Sequence, residues 1–252
     1  MKKWQIVNLA AFVILIFTTV SLIYVLGKMN FSAPYGKPWH LLPSVHEDSL
    51  SIVYKSEYQI LGKIPLRATL FDSSRTNVFI LIDAWGVPIQ ESLLEEDLKA
   101  IKHLPHQIAL HRRLANYTRH AEHAELRNNF TNSVFLFGGD STQFNRQEYI
   151  PSLGFQNAAF CDSCKNEQMI ETIDSLLKTS PSPQFIAWTA LASATGDHDK
   201  IQSVLQQIAE LAHKHPEVLF VVQGTHRPIL CTPETRNSYK SHWVPVAILN
   251  LY

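Results

Sequence analysis

The chain has 252 residues, room for one domain of ordinary size and a short appendage. Its 22 basic and 22 acidic residues cancel, which excludes the broad positive surface of a nucleic-acid binder. No internal repeat or low-complexity tract interrupts it.

From Trp4 to Gly27 the chain is almost wholly apolar and uncharged. At about 1.5 Å per residue, about twenty such residues cross the hydrocarbon core of a bilayer. Lys2 and Lys3 precede the stretch and Lys28 follows it. The leading pair favours a cytoplasmic N-terminus and an exported remainder. Residues 1–28 are therefore predicted to be a single-pass anchor in the cytoplasmic (inner) membrane, with the domain facing the periplasm or exterior. A cleaved signal peptide is the competing reading; the length of the stretch and the lack of a small-residue cleavage site oppose it. Residues 29–48, rich in proline and polar residues, are predicted to be a linker, and 49–252 the folded domain.

Within that domain, 51–60 has the residues of an edge strand. The run 77–83 (NVFILID) is uniformly apolar until its closing carboxylate, the pattern of a strand buried on both faces. A helix follows, with Leu93, Leu94, Leu98 and Ile101 on one face. Short apolar runs stand at 107–110 and 133–137. A second amphipathic helix carries Met169, Ile170, Ile173, Leu176 and Leu177, and 184–191 reads as another buried strand. The helix at 199–214 buries Ile201, Val204, Leu205, Ile208 and Leu211; strands at 217–223 and 244–250 complete the series. Apolar strands alternating with amphipathic helices predict an α/β fold with a mostly parallel central sheet and helices on both faces.

Ligands of such sheets collect at the carboxyl ends of the strands. The polar residues there are Asp83, Asp140, Thr195 to His198, Thr225 and His226. A carboxylate and an imidazole on separate strand ends suit a divalent metal such as zinc or manganese, and each alone is also an ordinary cap or turn residue. The basic, histidine-rich run from His111 to His123 reads either as a solvated helix face or as one wall of an anionic pocket.

Four stretches resemble the alkaline phosphatase superfamily, in particular its sulfatase-like membrane enzymes of the lipoteichoic acid synthase and phosphoethanolamine transferase type. NVFILIDAWG resembles the first core strand and its acidic metal ligand, at Asp83. YTRHAEHAELRNNF is similar to the segment of the nucleophilic threonine, at Thr118, with Glu122 four residues on. FLFGGDSTQFNRQEYIPSLGF resembles the stretch in which Phe144, Asn145 and Arg146 precede a tyrosine and a Leu-Gly-aromatic turn. LFVVQGTHRP with HWVPVAIL resembles the late strand, the metal-binding loop and the closing strand.

The resemblance implies a divalent metal (Mn, Zn or Mg) held by Asp83, Thr118 and His226. It implies a phospholipid or glycan-linked phosphate substrate contacted by Arg146, Phe144 and Asn145, and phosphoryl transfer or hydrolysis through Thr118. The family's late loop reads Gly-Asp-His, whereas this chain has Gly224, Thr225 and His226, and a neutral hydroxyl replaces a ligating carboxylate. The family's histidine after the 184–191-like strand falls near Ala194, with His198 close by. These departures imply an alternative, an inactive pseudoenzyme that binds or regulates a protein partner in cell-envelope biosynthesis.

Cys161 and Cys164 form a CDSC unit and Cys231 stands apart. In an exported domain the pair is expected to form a short-loop disulfide. A redox motif, half of a zinc site, or three free thiols in a cytoplasmic domain are the rival readings.

Overall fold

The computed structural model describes residues 58–62, 65–113, 117–127, 132–141, 145–179, 183–192 and 195–251, and residues 15, 16, 18, 19 and 21. The chain divides into two compact units, Met1–Ser49 and Leu50–Tyr252. The predicted span at 4–27 lies almost wholly outside the described residues, as do the linker and positions 51–57. Among the described residues no helix is long and apolar enough to cross a membrane.

The second unit is built on one eight-stranded sheet. In chain order its strands are β1 (Gln59–Leu61), β2 (Asn77–Ile82), β3 (His106–Arg112), β4 (Ser133–Gly138), β5 (Asn157–Cys161), β6 (Phe185–Ala190), β7 (Leu219–Gly224) and β8 (Trp243–Leu249). In space they run β1-β3-β8-β7-β2-β6-β4-β5. All pairings are parallel except those of β8, which is antiparallel to both β3 and β7. The mostly parallel sheet thus has one reversed strand inside it.

Among the described residues seven α-helices accompany the sheet: α1 (Leu66–Leu70), α2 (Glu91–Asp97), α3 (Thr118–Leu126), α4 (Arg146–Ser152), α5 (Asn166–Thr179), α6 (His198–Lys214) and α7 (Pro233–Asn237). A turn of 3-10 helix, Leu98–Ile101, extends α2. Strand residues alternate between faces, and β2 shows how this builds two cores. Val78, Ile80 and Ile82 join the core lined by α2, α5 and α6. Phe79 and Leu81 join the one lined by α1, α3 and α4. Along α6, Ile201, Val204, Leu205, Ile208 and Leu211 are all buried, each worth about 1.5–3 kcal/mol of apolar transfer.

Register sets up the site. Ile82 of β2 pairs with both Ala190 of β6 and Gly224 of β7, so the residues that follow emerge side by side at the carboxyl edge. The ladder continues one step further, with Asp83 N–H donating to Ala190 O at 2.9 Å and Thr225 N–H to Ile82 O at 3.0 Å.

Candidate functional site

Asp83 ends the β2 run, and the chain then turns sharply through Ala84 at φ 56°. A non-glycine residue in that region carries strain of about 1–3 kcal/mol, which the surrounding structure must hold in place. Ala84 N–H donates to Thr225 Oγ1 at 3.2 Å, tying the turn to the neighbouring strand end. Gly224 permits the close approach: a Cβ there would meet the Trp85 carbonyl oxygen at 1.8 Å.

Thr118 arrives from a different element, as the first residue of α3. That helix buries Thr118, Ala121, Glu122, Glu125 and Leu126, the i, i+3, i+4, i+7, i+8 face, so its inward stripe includes a hydroxyl and two carboxylates. The Thr118 hydroxyl donates to Asp83 Oδ1 in a short hydrogen bond. Its oxygen lies 3.2 Å from His226 Nε2, which in turn is 3.3 Å from Asp83 Oδ1. Asp83, Thr118 and His226 therefore converge on one point. Thr225 Oγ1 is 3.5 Å from the same Asp83 oxygen.

His226 Nδ1 is 2.7 Å from the Arg227 carbonyl oxygen, which can only accept, so Nδ1 carries a hydrogen. His226 Nε2 faces the Thr118 and Asp83 oxygens, with the imidazole oriented by a backbone carbonyl, as metal-binding histidines are. Burial pushes the Asp83 carboxyl up. The His226 hydrogen bond and charge, the Thr118 hydroxyl and the Arg146 charge outweigh it, and the net shift is below the ordinary carboxylate value.

The donor types suit a divalent ion, and the two distances from His226 Nε2 match the roughly 3.3 Å between ligands about 2 Å from a shared tetrahedral centre, whereas Thr118 and Asp83 stand closer, in their own hydrogen bond. Its charge is thin. Among the described residues no group of three His, Cys, Asp or Glu side chains could hold a metal, so Asp83 and His226 have only threonine hydroxyls to complete them.

Arg146, which the resemblance implies as a substrate contact, pairs with a carboxylate of α3. It is buried, with Nε 3.1 and 3.3 Å from the two Glu122 oxygens and its guanidinium 4.0 Å above the Phe137 ring. Tyr149 Oη donates to the same carboxylate. Glu122 is fully buried, and burial raises its pKa despite the opposing charge of Arg146. Asn145 is the left-handed residue before α4 and is exposed, while Phe144 lies outside the described residues.

The histidine-rich run is divided between two elements. His111 is fully buried in β3, against the reading of a solvated face, with Nδ1 3.8 Å from Glu125 Oε1 and 3.3 Å from Gln223 Nε2. Glu125 accepts from Leu66 N–H and Gln223 Nε2, and burial pushes its pKa up to about 7. His198 joins a separate chain of hydrogen bonds. Its Nδ1 is 2.8 Å from Asp97 Oδ1 and its Nε2 2.9 Å from Tyr239 Oη, while Trp85 Nε1 donates to Asp97 Oδ2 at 3.2 Å. Cys161 and Cys164 are joined in the structure, with Cα atoms 5.3 Å apart, and Cys231 is free.

No protein-family model matches the chain, and no curated protein matches it in sequence. Solved structures do. The lipoteichoic acid synthase LtaP from Listeria monocytogenes matches over 72% of this chain and 67% of its own, at 9% identity and a TM-score of 0.49. A protein in the alkaline phosphatase superfamily from Vibrio parahaemolyticus matches over 71% and 60%, at 13% identity and 0.49. The Streptococcus pyogenes phosphoglycerol transferase GacH, solved with sn-glycerol-1-phosphate, matches over 70% and 68%, at 13% identity and 0.46. Likenesses at these identities, with TM-scores under 0.5, assign neither family nor activity to the chain, whose own strands and helices form an α/β fold.

Proposed function

We propose that this chain is a single-pass, extracytoplasmic membrane protein that transfers or hydrolyses a phosphoryl group on a phospholipid or glycan-linked phosphate. Thr118 is the nucleophile, and Asp83, His226 and Thr118 hold a divalent ion. The observation that carries the reading is the meeting of the Thr118 hydroxyl with Asp83 and His226 Nε2. A hydroxyl at the first position of a helix, with a carboxylate to receive its proton, is placed for attack on phosphorus. A bond from Thr118 Oγ1 to phosphorus would form as the bond to the leaving oxygen breaks, with the hydroxyl proton passing by way of Asp83 to the leaving oxygen; water or an acceptor hydroxyl would then displace Thr118 Oγ1 from phosphorus, returning a proton to the threonine. The ion, when bound, supplies Lewis-acid polarisation and lowers the hydroxyl pKa. His226 Nδ1–H, fixed on the Arg227 carbonyl, keeps the ring aimed at the site.

A second reading has its own support. The Thr225 hydroxyl caps Ala84 N–H at the position where the resemblance expects a ligating carboxylate. A site with one carboxylate holds a divalent ion less firmly, as a domain kept for binding rather than turnover would.

Metal analysis of the purified full-length protein, paired with a phosphodiesterase assay on bis(p-nitrophenyl) phosphate, separates the two. Bound metal with turnover that disappears in Thr118→Ala supports the enzyme. Folded protein with neither metal nor turnover, even with added manganese or zinc, supports the binding domain and overturns the catalytic reading.

A further inference from the structure

Three residues past His226 the chain leaves the core and presents apolar side chains to solvent. Ile229 is 40% exposed and Leu230 69%, although Pro228 before them and Tyr239 beyond are buried. Ile89, 52% exposed, stands at the same edge, because its N–H donates to Ser238 O at 2.7 Å and Pro88 bridges to Tyr239. This tip is a built object. Arg236 Nη2 donates to the Ile229 carbonyl at 2.7 Å, and Thr232 Oγ1 accepts Thr235 N–H at 3.2 Å to cap α7. The Tyr239 hydroxyl is tied to His198 at its base. The same segment carries Arg227, Arg236 and Lys240, with Glu234 the only acidic side chain between 227 and 242.

Apolar side chains held outward on a segment with an excess of cations match the interface of an anionic bilayer: the side chains enter the headgroup layer and the cations stay with lipid phosphates. We propose that the segment 228–240, with Ile89, is a bilayer-contacting edge that lays Ile229 and Leu230 among anionic lipid headgroups. It goes beyond the proposed chemistry and does not depend on turnover. Because the edge begins beside His226, it brings the site to the membrane surface where a lipid-linked phosphate would be presented.

Cys231 lies within the segment and is the one cysteine outside the Cys161–Cys164 pair, so it accepts an environment-sensitive dye. The full-length protein, labelled there and reconstituted into vesicles containing phosphatidylglycerol, should show blue-shifted emission quenched by spin-labelled lipid. The shift should be lost in Ile229→Asp/Leu230→Asp. Lys240→Gln, a change at a half-buried position that leaves the apolar residues in place, should weaken docking about five-fold, the equivalent of about 1 kcal/mol per cation. Emission that stays water-like in folded, vesicle-associated protein overturns the proposal. So does an equal shift in pure phosphatidylcholine, or a shift produced by protein without lipid, which would point to a protein partner. Alkaline carbonate extraction of the same vesicles tests the 1–28 anchor separately, so failure of one reading is distinguishable from failure of the other.

Discussion

Arg146→Met is the substitution that best separates a substrate arginine from a structural one. The Arg146 and Glu122 side chains are 2% and 0% exposed, so neither charge has water to fall back on. Removing the cation leaves a buried carboxylate held only by neutral donors such as Tyr149, at a cost of about 3–5 kcal/mol. For a domain of this size each kcal/mol lowers Tm by about 2–4 °C, so the variant should melt about 6–20 °C below wild type. The lower end applies if Glu122 takes up a proton, toward which its burial already biases it. Thermal unfolding followed by circular dichroism measures the effect. Arg146→Met/Glu122→Leu should recover most of the loss, because removing both partners leaves no stranded charge. A single variant melting within about 2 °C of wild type, yet unable to bind a phosphate ester, would refute this reasoning and favour Arg146 as a substrate ligand.

Thr225→Asp adds a second carboxylate beside Asp83 and should raise affinity for manganese or zinc about tenfold or more by calorimetric titration; no gain would break the correspondence drawn for the late loop. Glu125→Gln should change how stability depends on pH. The Glu125 pKa lies at about 7 in the folded chain against an ordinary 4.5, so its protonated form is the one folding favours. Wild type should therefore lose stability relative to Glu125→Gln as pH rises from about 4.5 to about 7, by up to roughly 3 kcal/mol, and denaturant titrations across that range should show the two curves diverging.

The two-faced strands were readable because burial on both sides leaves an uninterrupted apolar run, as at 77–82, 185–190 and 219–224. The helices flanking them were readable for the opposite reason, a single apolar stripe. β5 went unread because it is an edge strand, exposed over Asn157, Ala158 and Ala159, with no pattern of burial to announce it. At the site, Asp83 and His226 follow from their place after buried strands. The partner of Arg146 does not, because a glutamate on a helix full of charges looks solvated until the helix is seen to bury that face. Gln223 did carry a signal: a polar residue closing an otherwise apolar strand needs a buried partner, and Glu125 is that partner. The Asp97–His198–Tyr239 chain joins residues more than a hundred positions apart and leaves no local trace.

The reversed strand β8 bears on how the domain is made. It is the last of the eight strands to be synthesised, yet it lies between β3 and β7, and it alone links the β1–β3 pair to the other five. Until Trp243–Leu249 leaves the ribosome, the nascent chain holds two fragments of sheet, each with an open edge facing the gap. The five-stranded fragment can zip on its own, but β3 must wait for β8 before it joins the sheet. Closure joins strands separated by most of the domain's length, a pairing that comes slowly because long loops must close first.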